Sequence, residues 1–120
     1  MRSLDFDRID HVYIRPGYTD LRKGIDGLCL LVQSSMKLDP RQNILFLFCG
    51  RKTSTIKGLL WEEDGFMLIT KRLENGKFQW PRTEEEVIAL SEQELRWLLD
   101  GLSIVQKNAI RPARKRAYIV

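Results

Sequence analysis

The chain has 120 residues, is 43% hydrophobic and 30% charged, and carries a formal net charge of +4. Such a length supports one compact domain with its own core and excludes two full ones, and the composition excludes a disordered or fibrous protein. No apolar run approaches the ~20 residues of a membrane-spanning helix, and the opening MRSLDFDRID is acidic with no apolar core, so neither membrane insertion nor a secretory signal is expected and the cytoplasm is the expected location.

HVYIR at 11–15 is rich in β-forming residues and stops at Pro16-Gly17, which predicts a first strand closed by a turn. Thr19 in an N-cap position, Asp20 in the first turn, and Leu21, Ile25, Leu28, Cys29, Val32 and Met36 at spacings of three and four predict an amphipathic helix over about 20–36. Gly24 and Gly27 weaken it. ILFLFC at 44–49 is continuously apolar, as in a strand buried on both faces. After the polar loop GRKTS, TIKGLLWE at 55–62 and FMLITKRLE at 66–74 flank Asp64-Gly65, and FQW at 78–80 follows Asn75-Gly76. Asp-Gly and Asn-Gly favour type I′ hairpin turns, so 44–80 predicts a four-strand antiparallel meander, stopped by Pro81, which cannot donate to a ladder. VIAL at 87–90 reads as a short strand or helix lead-in. Ser91 with Glu94 forms a capping-box pattern, and Leu95, Leu98, Leu99 and Leu102 form a stripe, predicting a second helix over about 92–101. The expected fold is α+β: a mainly antiparallel meander of about four to five strands with two helices packed on one face. A single domain is expected over 1–104, and a basic C-terminal tail over 105–120.

The excess positive charge lies at the end. Of 20 cations, Lys107, Arg111, Arg114, Lys115 and Arg116 follow the last acid, Asp100, leaving 15 cations against 16 acids before it. Such an arm suits phosphate backbones, and equally suits a solvated terminus that aids solubility. In the body, alternation places Phe78 and Trp80 together, with Trp61 on a neighbouring strand and Lys57, Lys71, Arg72 and Lys77 among them. With Lys71 and Arg72 on opposite faces of their strand, one or the other of them joins Lys57 and Lys77 in a mixture that matches a sheet face that stacks bases and holds phosphates, and that also matches cross-strand core pairs covered by Lys and Arg stems.

Catalytic signals are weak. His11, the single histidine, stands in an apolar strand without a nucleophile elbow nearby, and neither a phosphate-binding loop nor a dinucleotide fingerprint is present. Cys29 and Cys49 lie inside apolar runs and read as free core thiols rather than metal ligands or a disulfide. No cofactor and no metal are expected. Asp20, Asp26, Glu62, Glu63, Asp64 and Glu74 keep metal-dependent strand cleavage as the alternative class.

The ordered set VYIRPGYTDLRKGIDGL, IKGLLWEEDGFMLITKRLENGKFQWP and ALSEQELRWLLDGL, spread over about 10–103, resembles the small accessory protein of the insertion-sequence-66 family. This is the TnpB-type accessory frame, distinct from the RNA-guided nuclease of the same label. The family run T-D-x-R-K-x-x-D-G-L falls on Thr19, Asp20, Arg22, Lys23, Asp26, Gly27 and Leu28, and K-x-L-x-W on Lys57, Leu59 and Trp61. D-G-F falls on Asp64, Gly65 and Phe66, K-R-L-E on Lys71, Arg72, Leu73 and Glu74, and F-x-W-P on Phe78, Trp80 and Pro81. The chain departs from the family at Thr70, where an aromatic residue is common, and at GRKTST, where a more basic segment often precedes the lysine.

The resemblance implies a role rather than a reaction: a non-catalytic factor for transposition of an insertion-sequence element, beside a separate and much larger transposase. DNA at the element ends, the transposase, or both are the implied partners; oligomeric state is not specified. Asp20, Arg22 and Lys23 at a helix start, with Lys71 and Arg72 on a strand, are expected to form one polar site. Together with Lys57, Trp61, Lys77 and Trp80 of the body and Arg111, Arg114, Lys115 and Arg116 of the tail, they are the residues expected to meet nucleic acid or a partner protein. A small metal-dependent nuclease acting on element DNA is the alternative.

Overall fold

A computed structural model describes residues 6–106. After a short 3-10 turn at Phe6–Arg8, the chain forms β1 (His11–Ile14), α1 (Ile25–Ser34) and β2 (Ile44–Cys49), with β1 and β2 adjacent and parallel. Parallel neighbours need a crossover, and α1 supplies it. β3 (Thr55–Trp61) and β4 (Phe66–Arg72) continue from β2 as an antiparallel meander. β5 (Ile88–Leu90) returns antiparallel to the free edge of β1, and α2 (Glu92–Leu99) closes the described fold. The five-stranded sheet has the order β4-β3-β2-β1-β5. The architecture is α+β with a mixed sheet. No helix among the described residues is long and apolar enough to cross a membrane.

β2 is the central strand, and all six of its residues are buried. Its two faces feed two cores. Ile44, Phe46 and Phe48 pack with Leu59 of β3 and with Leu28 and Val32 of α1. Leu45, Leu47 and Cys49 pack with Val12 and Ile14 of β1, Ile56 and Leu60 of β3, and Leu95 and Leu98 of α2. The helices therefore lie on opposite faces of the sheet, where one shared face was expected. A strand apolar on both sides requires cover on both sides, and one helix supplies each. Gly58 of β3 makes room on the α2 side: a Cβ there would sit 2.9 Å from Ile69 Cγ1 and 3.2 Å from Leu45 Cδ1.

Two other expectations are corrected. Phe78-Gln79-Trp80 is not a fourth meander strand. It is an extended coil in which the Phe78 amide donates to the Thr53 carbonyl (2.7 Å), while Phe78 and Trp80 enter the α2-side core and Gln79 turns outward to the Gly101 carbonyl. Alternation is the same for a ladder strand and for a segment plugging a core, and here the plug is formed. Trp80 is 7% exposed and its indole Nε1 donates to the Arg15 carbonyl at 2.9 Å, which satisfies its one polar atom.

The turn between β3 and β4 also differs in detail. Its left-handed residue is Glu63 (φ 68°) rather than Gly65, and the Asp64 amide donates to the Glu62 carbonyl at 2.7 Å, the closure of a γ-turn around Glu63. At α2, by contrast, the expected capping box is present: Glu94 N donates to Ser91 Oγ, and Ser91 N donates to the Glu94 carboxylate.

Because Trp80 fills the α2-side core and bonds β1's exit, Trp80→Ala should lower the unfolding free energy by ~3–5 kcal/mol. Urea titration of this variant beside Gln79→Ala, whose side chain is exposed, checks it. A Trp80→Ala midpoint equal to that of Gln79→Ala would contradict the burial.

Candidate functional site

Since β1 and β2 are parallel, their carboxyl ends lie side by side, and the loops that follow the two strands become neighbours. Here the chain leaves β1 into a loop over 15–24 and leaves β2 into a loop over 50–54. The two loops enclose an open hollow of about 840 Å³, lined by residues 18–22 and 50–55. A second hollow of about 660 Å³ shares Tyr18 and Arg51 with the first and is completed by Gly17, Arg82, Thr83 and Glu84.

The 15–24 loop stands where a helix from Asp20 is expected. Its polar groups are claimed by other partners, which is how such residues compete with helix formation. The Thr19 amide donates to the Cys49 carbonyl (2.7 Å), and its buried hydroxyl accepts from Arg15 Nη1 at 3.1 Å. The Asp20 carboxylate accepts from the Arg22 amide at 3.0 Å, closing a tight local turn. α1 then begins at Ile25, with Gly24 at the N-cap and no side-chain cap.

Two half-buried cations hold this loop, Arg15 and Lys57. Arg15 donates from Nε to Ser35 Oγ (3.2 Å), and Ser35 in turn donates to Glu86 (2.6 Å), tying the end of β1 to α1. Lys57 Nζ donates to the Leu21 carbonyl at 2.7 Å, fastening the loop to β3. Gly17, at φ +76°, donates its amide to the Pro81 carbonyl. The 50–54 loop packs beside Leu21, whose Cδ1 lies 3.1 Å from where a Cβ on Gly50 would be.

Arg22 and Asp20 form a two-pronged pair, Nε to Oδ1 at 3.0 Å and Nη2 to Oδ2 at 2.8 Å. The side-chain bond from Arg22, then its backbone amide, holds the Asp20 carboxyl well below the usual carboxylate range. Arg51 lies over Tyr18, its guanidinium carbon 4.5 Å from the ring centroid and Nη2 donating to the phenol oxygen at 2.8 Å. None of the three ion pairs seen among the described residues involves Arg51, Lys52 or Arg82. Burial pushes the Cys49 thiol up to about 11, with Arg82 nearby working against the shift. A thiol so raised stays protonated and is a poor nucleophile. Among the described residues no three His, Cys, Asp or Glu side chains are grouped to hold a metal.

The residues singled out from the sequence are thus dispersed. Asp20 and Arg22 line the hollow, with Lys23 next to them, exposed, in the loop rather than at a helix start. Arg72 pairs with Thr55 and shares its sheet face, so it flanks the hollow, whereas Lys71 pairs with Ile56 on the α2 side. The two do not act from one face. Trp61 lies at the far end of β3, 4.9 Å from Phe66 and beneath Arg41, and Trp80 is buried on the other side, so they form no common platform. Lys77 is exposed in the coil before Phe78. Arg111, Arg114, Lys115 and Arg116 lie outside the described residues.

Tyr18, Arg51, Lys52 and Arg82 went unmarked in the sequence. The one signal there was GRKTST, two cations followed by three hydroxyl residues in a strand connection.

A family model described as IS66 Orf2 like protein matches residues 10–109. The chain belongs to the IS66 Orf2-like family. Membership ties it to insertion-sequence transposition in an accessory role. Two relatives from Sinorhizobium fredii are similar along most of their length. Uncharacterized protein y4hO is 43% identical over 91 residues, 76% of this chain and 79% of the relative. Uncharacterized protein y4jC is 32% identical over 98 residues, 79% and 84% respectively. No solved structure matches the chain.

If Arg15 organises the loop, Arg15→Met should cost about 1–3 kcal/mol, because it leaves the buried Thr19 hydroxyl without its donor. Asp20→Asn, at a solvent-exposed pair, should leave the urea midpoint nearly unchanged. Equal midpoints for the two variants would show that the loop does not depend on Arg15.

Proposed function

We propose that this IS66 Orf2-like protein is a non-catalytic accessory factor that binds element DNA in the cytoplasm through the loops at the carboxyl ends of β1 and β2. The observation that carries this reading is the grouping, around two adjoining open hollows, of hydroxyl side chains with cations that enter no ion pair among the described residues. Arg51 and Lys52 stand beside Thr53, Ser54 and Thr55, with Arg82 across the Tyr18 ridge. Cations and hydroxyls are the side chains that most often meet phosphate oxygens, and Arg offers a fork matched to them. The cations Arg111, Arg114, Lys115 and Arg116 add sequence-blind attraction to the same backbone. Family membership also points to the transposase of the element as a partner, in which case this protein bridges it to DNA.

The nuclease alternative requires carboxylates converging on hard cations. Of the acids in the hollow, Asp20 is engaged by Arg22, and no metal-holding group is formed among the described residues, so the geometry gives that alternative no support.

Arg51→Ala combined with Lys52→Ala should weaken binding of a labelled element-end duplex about tenfold or more at low salt. The slope of log affinity against log salt should flatten by up to ~0.9 for each phosphate that the variant no longer neutralises. The melting temperature should hold, because both side chains are at the surface. Unchanged affinity and slope would place DNA elsewhere or nowhere on the body, and strand scission in Mg²⁺ or Mn²⁺ would favour the nuclease.

A further inference from the structure

We propose that the site takes unpaired nucleotides of single-stranded DNA, with a base stacked on Tyr18, in preference to intact duplex. This rests on the reading of the two loops as a DNA-binding surface and narrows what they bind.

Tyr18 is 54% exposed and belongs to neither core cluster. An aromatic ring so placed contributes little to folding, yet its position is closely fixed. The preceding Gly17 amide is bonded to the Pro81 carbonyl and the following Thr19 amide to the Cys49 carbonyl. The guanidinium of Arg51 rests on the ring at 4.5 Å and donates to its hydroxyl. Pinned in this way, the ring is a preformed stacking surface, and binding costs little ordering entropy. Aromatic rings and Arg planes are what single-stranded nucleic acid uses, because every base has a π-face.

The position of the pair adds a second argument. Tyr18 and Arg51 line both hollows, so they form the ridge between them, and the volumes of about 840 and 660 Å³ fall in the ~300–1,000 Å³ range of pockets for small-molecule-sized groups. Successive nucleotides of one flexible strand can occupy the two sides, with phosphates reaching Lys52 and the Thr53 and Ser54 hydroxyls on one side and Arg82 on the other. Asp20 is neutralised by Arg22, which leaves Glu84, among the described residues lining the two hollows, as the acid opposing a phosphate there. A duplex offers the same phosphates but keeps its base faces stacked inside, so it can engage the cations and not the ring.

Fluorescence anisotropy of the full chain with a short labelled single strand, and with the same sequence as duplex, tests this. Single strand should bind roughly tenfold more tightly. Tyr18→Ala should bring single-strand affinity down to the duplex level, and Tyr18→Phe, which keeps the ring, should retain the preference. Equal or duplex-favouring binding by the unaltered protein, or a preference that survives Tyr18→Ala, would overturn the inference. Duplex binding that depends on Arg51 and Lys52 without any single-strand preference would sink this inference and leave the proposed function standing. Failure to bind either form, or displacement onto an acidic polypeptide instead, would sink both.

Discussion

Pairing β1 with β2 in parallel is the constraint from which the rest of the molecule follows. A parallel pair cannot be joined by a hairpin, so the chain must cross the sheet, and α1 is that crossing. The crossing covers one face of β2, leaving the other to α2 and to Phe78 and Trp80. Most important for function, parallel pairing brings the exits of both strands to the same end. Residues 15–24 and 50–54 then face each other although about thirty positions separate them in sequence, and any site they form is a product of topology rather than of a contiguous motif.

Within that site the cations divide by what they touch. Arg15 and Lys57 are spent on the backbone and hydroxyls of the loop, and Arg22 on Asp20. Arg15 and Lys57 hold a shape, because the Thr19 hydroxyl and the Leu21 carbonyl they satisfy are part-buried, whereas the Arg22–Asp20 pair lies in solvent. Arg51, Lys52 and Arg82 have no carboxylate in the ion pairs seen among the described residues, and they line the two hollows. The scaffold therefore orders the two loops with one set of cations and leaves another set outside those ion pairs, at the surface of the hollows. Arg51 spans the two uses, because its contact with Tyr18 both positions the ring and keeps the guanidinium at the surface.

What could be read in the sequence was what is encoded locally. ILFLFC identifies a strand buried on both sides, and Ser91 with Glu94 identifies the start of α2, because each signal lies within a few residues. Thr19-Asp20 is the instructive failure: an N-cap and an Arg-bound loop need the same side chains, and the Thr19 amide is committed to the loop by the Cys49 carbonyl, far away in sequence, with Arg15 holding its hydroxyl. Alternation in Phe78-Gln79-Trp80 was equally ambiguous between a ladder and a core plug. The candidate site was half legible. Asp20 and Arg22 could be marked from sequence, whereas Tyr18 and Arg51 acquire meaning only through a contact across 33 positions. The family could be recognised from sequence because its motifs mark the loop, the β3–β4 hairpin and the Trp80 plug, positions this fold holds in fixed geometry.

As proposed above, the loops at the carboxyl ends of β1 and β2 are the surface of this protein that meets DNA. Amide chemical-shift mapping during titration with an element-end oligonucleotide tests it most directly. The largest perturbations are expected at Gly17–Arg22 and Gly50–Thr55, with the distant β3–β4 turn at Glu63–Gly65 unaffected. Perturbations concentrated at that turn and around Trp61, with the two loops silent, would contradict it.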